Sequence, residues 1–410
     1  MTGDENLLTA VDLLRRDRRQ HPYRGRRAYS QAAREVADGC ARLIDAGEAA
    51  RTVPLLRKAV DRMTRALMYL DDSSGIVGDD LRQLMSLYAR ACTTAPPKSI
   101  SLAKWLVGLA CDGPGWPHVL LSEFTGALGE RGMAEVARLV EERARTADPE
   151  SWAAVYSLRD LKEQLAEVSG DLDRYVAVLA ESLTSAIQYE RITHALRDAG
   201  RRQDAITWAR RGLADKPGWP HTEQLRDDLV SMLLAEGKAE EAVSARREEF
   251  ARHPTGTTYR ALAVTSAQVG AGDPAPWALE ILTERVRRQP VFATELLNVL
   301  SILGRHEEAW RLAQQHRTVL GDEQWLKLLN ERRIDHPEDV LVPYQDMIES
   351  HVLNSANKHR YRRAIALLPA LRDAYQATGD RRAFMRYLDD LRARHARRPT
   401  FIKALDGANL

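Results

Sequence analysis

Seven arginines and a single aspartate fall between residues 15 and 27, in the run LLRRDRRQHPYRGRRAY from Leu13 to Tyr29. Guanidinium forks match phosphate oxygens, and Tyr23 and Tyr29 could stack on bases. Arg15, Arg16, Arg18, Arg19, Arg24, Arg26 and Arg27 are therefore the candidate anion or nucleic-acid contacts. The bland alternative is a solvated helix end whose arginines pair with acids on the chain or on a partner, since no recognition motif accompanies them. A second basic stretch, residues 386–403, holds six basic and two acidic groups, whereas the whole chain balances 60 basic against 58 acidic. Charge thus gathers at the two ends of a nearly neutral molecule.

Other constellations are weaker. The loop from Asp71 to Asp80 sets four carboxylates around two glycines, a composition able to hold a hard cation. It lacks the alternating spacing and closing Glu of an EF-hand, so the favoured reading is a helix stop with Asp79 or Asp80 capping the helix near Leu81. Pro114-Gly115-Trp116-Pro117-His118 recurs as Pro217-Gly218-Trp219-Pro220-His221. Its tryptophans read as loop anchors rather than as part of a histidine metal site. The three cysteines, Cys40, Cys92 and Cys111, form no CxxC or CxC pair, which implies a reducing compartment and neither zinc nor disulfides. No strand-to-helix phosphate loop, GxSxG, HExxH or CxxC is present. These readings give no catalytic residue, no metal ligand and no cofactor. The acid-bearing N-terminal stretch without an apolar core, and the lack of any 18-residue apolar run, lead to the expectation of a cytoplasmic protein.

The elements that must position these residues are helices. Ile192, Ala195, Leu196 and Ala199 fall at helical spacing, as do Leu225, Leu229, Met232 and Leu233, and residues 187–250 read as four consecutive helices. Between them Ala205, Ala209 and Gly212 are small enough to let two helices approach closely. A glycine recurs between amphipathic stretches at Gly47, Gly132, Gly170, Gly200, Gly237, Gly304 and Gly379. In the best copies Ala follows five residues later and Pro seventeen later, as in Gly200, Ala205, Pro217; Gly237, Ala242, Pro254; and Gly132, Ala137, Pro149. Tyr175 and Phe384 take the Ala position after Gly170 and Gly379. A helix that stops and reverses favours glycine at its end, and a period of about 34 residues is that of stacked helical hairpins. Asp148-Pro149 and Asp273-Pro274 mark helix starts. About 18 to 22 helices and no strand are expected.

These Gly-Ala-Pro hairpins resemble tetratricopeptide (TPR) repeats without most of that family's consensus residues. Arg16 to His21 matches the loose Arg-polar-x-x-x-His pattern of HEPN-type ribonucleases, although Pro22 would end the helix that must carry the pair. RRDRRQHPYRGRRAYSQAAREVADGCARLIDAG, RALMYLDDSSGIVGDDLRQLMSLYARAC, DGPGWP and RARHARRPTFIKALD are similar to the helical region of actinobacterial SWIM zinc-finger proteins. The finger itself, CxC followed by CxH, is missing, and what the resemblance implies is an accessory helical scaffold that meets other macromolecules.

The expected fold is all-α, a TPR-like α-solenoid: a right-handed superhelix of antiparallel helix pairs over residues 28–410, preceded by a basic arm or first helix at 1–27. The expected function is a non-catalytic scaffold holding a protein or peptide in a superhelical groove, centred on the repeats from Tyr156 to Tyr259. The alternative is a nucleic-acid-binding accessory protein that uses the arginine-rich segment, with a HEPN-like ribonuclease behind it. No membrane contact is expected.

Overall fold

The structure, a computed structural model, describes residues 3–15, 26–69, 72–148, 150–215 and 222–408. Among them the chain forms 21 α-helices, four short 3-10 turns and no strand. It is an all-α, TPR-like helical repeat protein. Contacts divide it into two compact units, Met1–Leu225 and Arg226–Leu410.

The first unit holds α1 (Gly3–Leu13), α2 (Arg26–Asp45), α3 (Ala49–Leu67), α4 (Ile76–Thr94), α5 (Ser99–Asp112), α6 (Thr125–Thr146), α7 (Trp152–Val168), α8 (Leu172–Ala180), α9 (Ala186–Asp198) and α10 (Arg202–Asp215). The division falls within α11 (Thr222–Ala235). The second unit continues with α12 (Ala239–Arg252), α13 (Gly256–Val269), α14 (Ala275–Arg288), α15 (Ala293–Ile302), α16 (His306–Gln315), α17 (Asp322–Asp335), α18 (Leu341–Leu353), α19 (Arg360–Ala377), α20 (Arg381–Arg394) and α21 (Pro399–Asp406). Many helices, such as α3 on α4, α5 on α6, α9 on α10 and α18 on α19, pack on the next in sequence, and α2, α5 and α13 also touch the next but one, α4, α7 and α15. That pattern buries each hairpin against its neighbours rather than around one centre. Each unit has its own apolar core.

The turn glycines explain the repeat. Gly47, Gly170, Gly200, Gly237, Gly304 and Gly379 all take positive φ, between 68° and 83°. At Gly200 the N–H of Arg201 donates to the carbonyl of Leu196 at 2.8 Å, and Lys238 repeats this to Leu233 at 2.9 Å, so spent helix carbonyls are satisfied while the chain reverses. The residue five places on then lands on the buried face of the next helix: Thr52, Tyr175, Ala205, Ala242, Ala309 and Phe384 are all buried. Helices α10 to α14 are each 14 residues long, the regular part of the array, whereas α2, α3, α4 and α6 run to 19–22.

One expected turn is not a turn. Gly132 lies inside α6, and the positive φ in that helix belongs to Gly129, at a kink. Gly132 is small for a different reason: a Cβ there would come within 2.9 Å of Leu128 and 3.2 Å of Ser99. Ala137, read as its repeat partner, is accordingly only half-buried. The close approach expected at Gly212 is present, since a Cβ would meet Tyr189 and Leu225 at 2.7 Å. Gly270 joins the turn glycines: it closes α13 with φ 68° and the same backbone bond, Ala271 to Ser266 at 2.9 Å.

Candidate functional site

The first turn of α7 presents an apolar face to solvent. Ser151 caps the helix by accepting from the Ala154 N–H, which sets Trp152 in the first turn. Trp152, Val155 and Tyr156 follow at i, i+3 and i+4 and so share one face. Leu158, Leu161 and Ala166 are on the buried face. Trp152 is 76% exposed, with Val155 and Tyr156 each at 45%. The Trp152 and Tyr156 rings stack, centroids 5.2 Å apart and planes 20° apart, and the Arg159 guanidinium lies 5.8 Å from the Tyr156 centroid. Arg159 is in turn held by Glu163 at 3.6 Å. The rings therefore rest on one another and on Arg159 while one broad apolar surface faces solvent.

Behind this face, α7 is locked to the loop that precedes α6. His118 Nε2 and Asp160 Oδ2 lie 2.9 Å apart, and Gln164 donates to Asp160 at 2.7 Å and to the Val119 carbonyl at 2.9 Å while accepting from the Leu121 N–H at 2.7 Å. The Asp160 carboxylate holds the His118 pKa above its ordinary value, against the opposing effect of burial. Trp116, after which the peptide to Pro117 is cis, donates to the Gly78 carbonyl at 3.2 Å under the Arg82 guanidinium. The first Trp-Pro-His copy is thus an anchor. Its second copy, Pro217 to His221, lies outside the described residues.

The acidic loop spends its carboxylates on the protein. The N-cap position of α4 is Gly75, not Asp79 or Asp80, and Asp72, upstream of it, accepts from the first-turn N–H groups of Val77 at 3.1 Å and Gly78 at 2.8 Å. Asp79 pairs with Arg82, and the buried Asp80 accepts from Ser30 and from Arg34 at 3.2 Å. Asp71 lies outside the described residues. The thiols are quiet as well: burial pushes Cys40 up to about 12, Cys92 up to about 11, and Cys111 upward too.

Of the arginines singled out in the sequence, Arg15 is exposed just past α1. Arg16, Arg18, Arg19 and Arg24, with His21 of the HEPN-like pattern and Tyr23, lie outside the described residues, as do the side chains of Arg26 and Arg27 at the start of α2. Tyr29 is not free to stack; it is buried and donates to the Leu14 carbonyl at 2.8 Å. Among the described residues no helix is long and apolar enough to cross a membrane.

The face of α7 was missed by sequence reasoning, which found Tyr156 only as an edge of the central repeats. The available signal was a second apolar triplet, Trp152, Val155 and Tyr156, beside the core-facing stripe of Leu158, Leu161 and Leu165.

Residues 42–264 match the profile of a family described as a family of unknown function, DUF6880. No curated protein matches the chain. Among solved structures, similarity is found to the APC/C hetero-tetramer Cut9–Hcn1 (13% identity, 93% of this chain and 90% of that one, TM-score 0.22). It is also found to a circular tandem repeat protein with novel repeat topology (16%, 99% and 97%, TM-score 0.23) and to the human IFIT1 dimer with PPP-AAAA (11%, 94% and 93%, TM-score 0.22).

Proposed function

We propose that this chain, which belongs to the DUF6880 family, is a non-catalytic scaffold that docks a partner protein on the aromatic face of α7. The observation that carries this reading is the stacked but exposed pair Trp152 and Tyr156. Leaving a tryptophan in water forgoes burial worth about 1.5–3 kcal/mol for a large apolar side chain, and Trp and Tyr dominate the energetic centres of protein interfaces. An apolar centre with Arg159 at its edge fits a partner that presents a hydrophobic pocket ringed by polar groups. Reading the chain as akin to the helical region of SWIM zinc-finger proteins points the same way, toward an accessory that works by holding other molecules, in the reducing cytoplasm. No catalytic role is assigned: Asp72 and Asp79 are bonded within the protein, Asp80 is buried and paired, and Cys40 and Cys92 are buried.

The test is affinity capture from the native host with the wild-type chain and with Trp152→Ala/Tyr156→Ala, followed by titration of the captured protein in purified form. Loss of at least about tenfold in affinity, or 1.4 kcal/mol, is expected for a hot-spot pair. Equal affinity for both chains would sink the proposal.

A further inference from the structure

Two basic runs far apart in sequence meet at one corner of the Arg226–Leu410 unit. The first opens α19 with Arg360, Tyr361, Arg362 and Arg363; the second joins α20 to α21 through Arg397 and Arg398 and continues to Lys403. What brings them together is aromatic packing. The Tyr361 ring lies 5.4 Å from that of Phe401, and the buried His395 meets the same Phe401 edge-on at 5.5 Å. Arg360 sits 4.6 Å over Tyr361 and donates to its hydroxyl at 3.0 Å.

The cations at this corner are left over. Elsewhere on α19 and α20, Arg372, Arg386, Arg392 and Arg394 each reach a carboxylate. Arg362, Arg363, Arg397, Arg398 and Lys403 reach none among the described residues. Three of the six basic groups crowd the first turn of α19, which carries no acid, at the helix end where the backbone dipole disfavours cations. Clustered like charges are tolerated there at a cost that an anion would remove.

The surface chemistry distinguishes between anions. A protein partner needs an apolar centre, and among the described residues from Lys358 to Ala408 the one large apolar side chain that is exposed is Met385, in the middle of α20. A nucleic-acid interface is instead polar and strongly positive, and guanidinium forks pair with phosphate in two-bond geometry. The stacking faces are already taken, since Phe401 is buried and Tyr361 is covered by Arg360. We infer that this corner binds the phosphate backbone of a nucleic acid without reading its bases. The inference is independent of the α7 surface, so Trp152→Ala leaves it intact.

The experiment is fluorescence anisotropy of labelled 20-nucleotide single strands, DNA and RNA, titrated with the full chain from about 50 to 300 mM salt. Arg362→Gln/Arg363→Gln/Arg397→Gln is expected to weaken binding at least tenfold at low salt and to lower the slope of log K against log salt by about 2, the value for three lost contacts to a single strand. Arg362→Lys/Arg363→Lys/Arg397→Lys keeps the charge and is expected to keep the slope, which separates lost contacts from lost folding. Arg16→Gln/Arg18→Gln/Arg19→Gln is the comparison for the N-terminal run. The inference is overturned by no binding at about 50 mM salt, by a glutamine variant with wild-type affinity and slope, by loss in the N-terminal variant alone, or by equal binding of polyglutamate or anionic vesicles.

Discussion

Trp310 and Trp325 stack face to face between α16 and α17, centroids 5.4 Å apart and planes 6° apart. The stack is closed at both ends by cations, Arg332 at 5.6 Å from Trp310 and Arg317 at 5.1 Å from Trp325. Arg332 is fixed by Asp339 at 2.6 Å and by Glu307, and Arg317 by Asp322 at 3.2 Å. Two buried indoles thus join consecutive helices, in contrast to the exposed Trp152.

Trp310→Ala is expected to destabilise the second unit by about 3–5 kcal/mol, the usual range for emptying a buried aromatic site. Trp152→Ala is expected to stay within about 0.5 kcal/mol because its ring is already in water. Urea unfolding followed by far-UV circular dichroism measures both, and a large loss for Trp152 would show that its exposure is misassigned.

Two glycine-to-alanine changes should have opposite signs. Gly212→Ala puts a methyl 2.7 Å from Tyr189 and Leu225 and should cost about 1–3 kcal/mol by overpacking. Gly126, in the first turn of α6, has open space around it and no positive φ, so Gly126→Ala should stabilise by about 0.4–1 kcal/mol. Matching shifts of the urea midpoint would contradict the packing described.

That contrast marks what the sequence could convey. Turn glycines were legible because a local conformation and a buried residue five places on recur together, as at Gly200 with Ala205. Gly132 misled because a glycine needed for side-chain clearance looks, in sequence, like one needed for a turn. Asp72 was not legible because it accepts from amides five and six residues ahead, from outside the N-cap position that Gly75 holds. The basic corner was hidden because Tyr361 and Phe401 must meet before its halves add up, and the exposure of Trp152 is decided by which side of α7 the core takes.

Two histidines should titrate in opposite directions from the ordinary value of 6.5. The hydrogen bond to Asp160 raises His118, so its contribution to stability is complete below 6.5 and is lost as pH rises through the folded value. Burial lowers His351, with Arg363 adding to the effect and Asp322 opposing it, so stability from its neutral ring is lost as pH falls. Ring-proton NMR should resolve a higher midpoint for His118 than for His351, and Asp160→Asn should lower only the former.

At about pH 8 the native chain should expose at most one thiol to a disulfide reagent. Cys40 and Cys92 are buried, with pKa values pushed up to about 12 and about 11, whereas Cys111 is partly accessible. All three should react in guanidinium. Fast reaction of two or more in the native state would contradict this burial.

The habit of packing many helices on a neighbour close in sequence reaches beyond stability into synthesis. Sequence-local contacts form early and quickly, because little loop entropy must be spent before they are rewarded. As each glycine turn leaves the ribosome, the hairpin it closes already has its neighbour waiting, so apolar faces such as those of Ala205 and Ala242 need not wait for the distant end of the chain. A polypeptide built this way can fold at the pace of translation, exposing about one unfinished hairpin at a time.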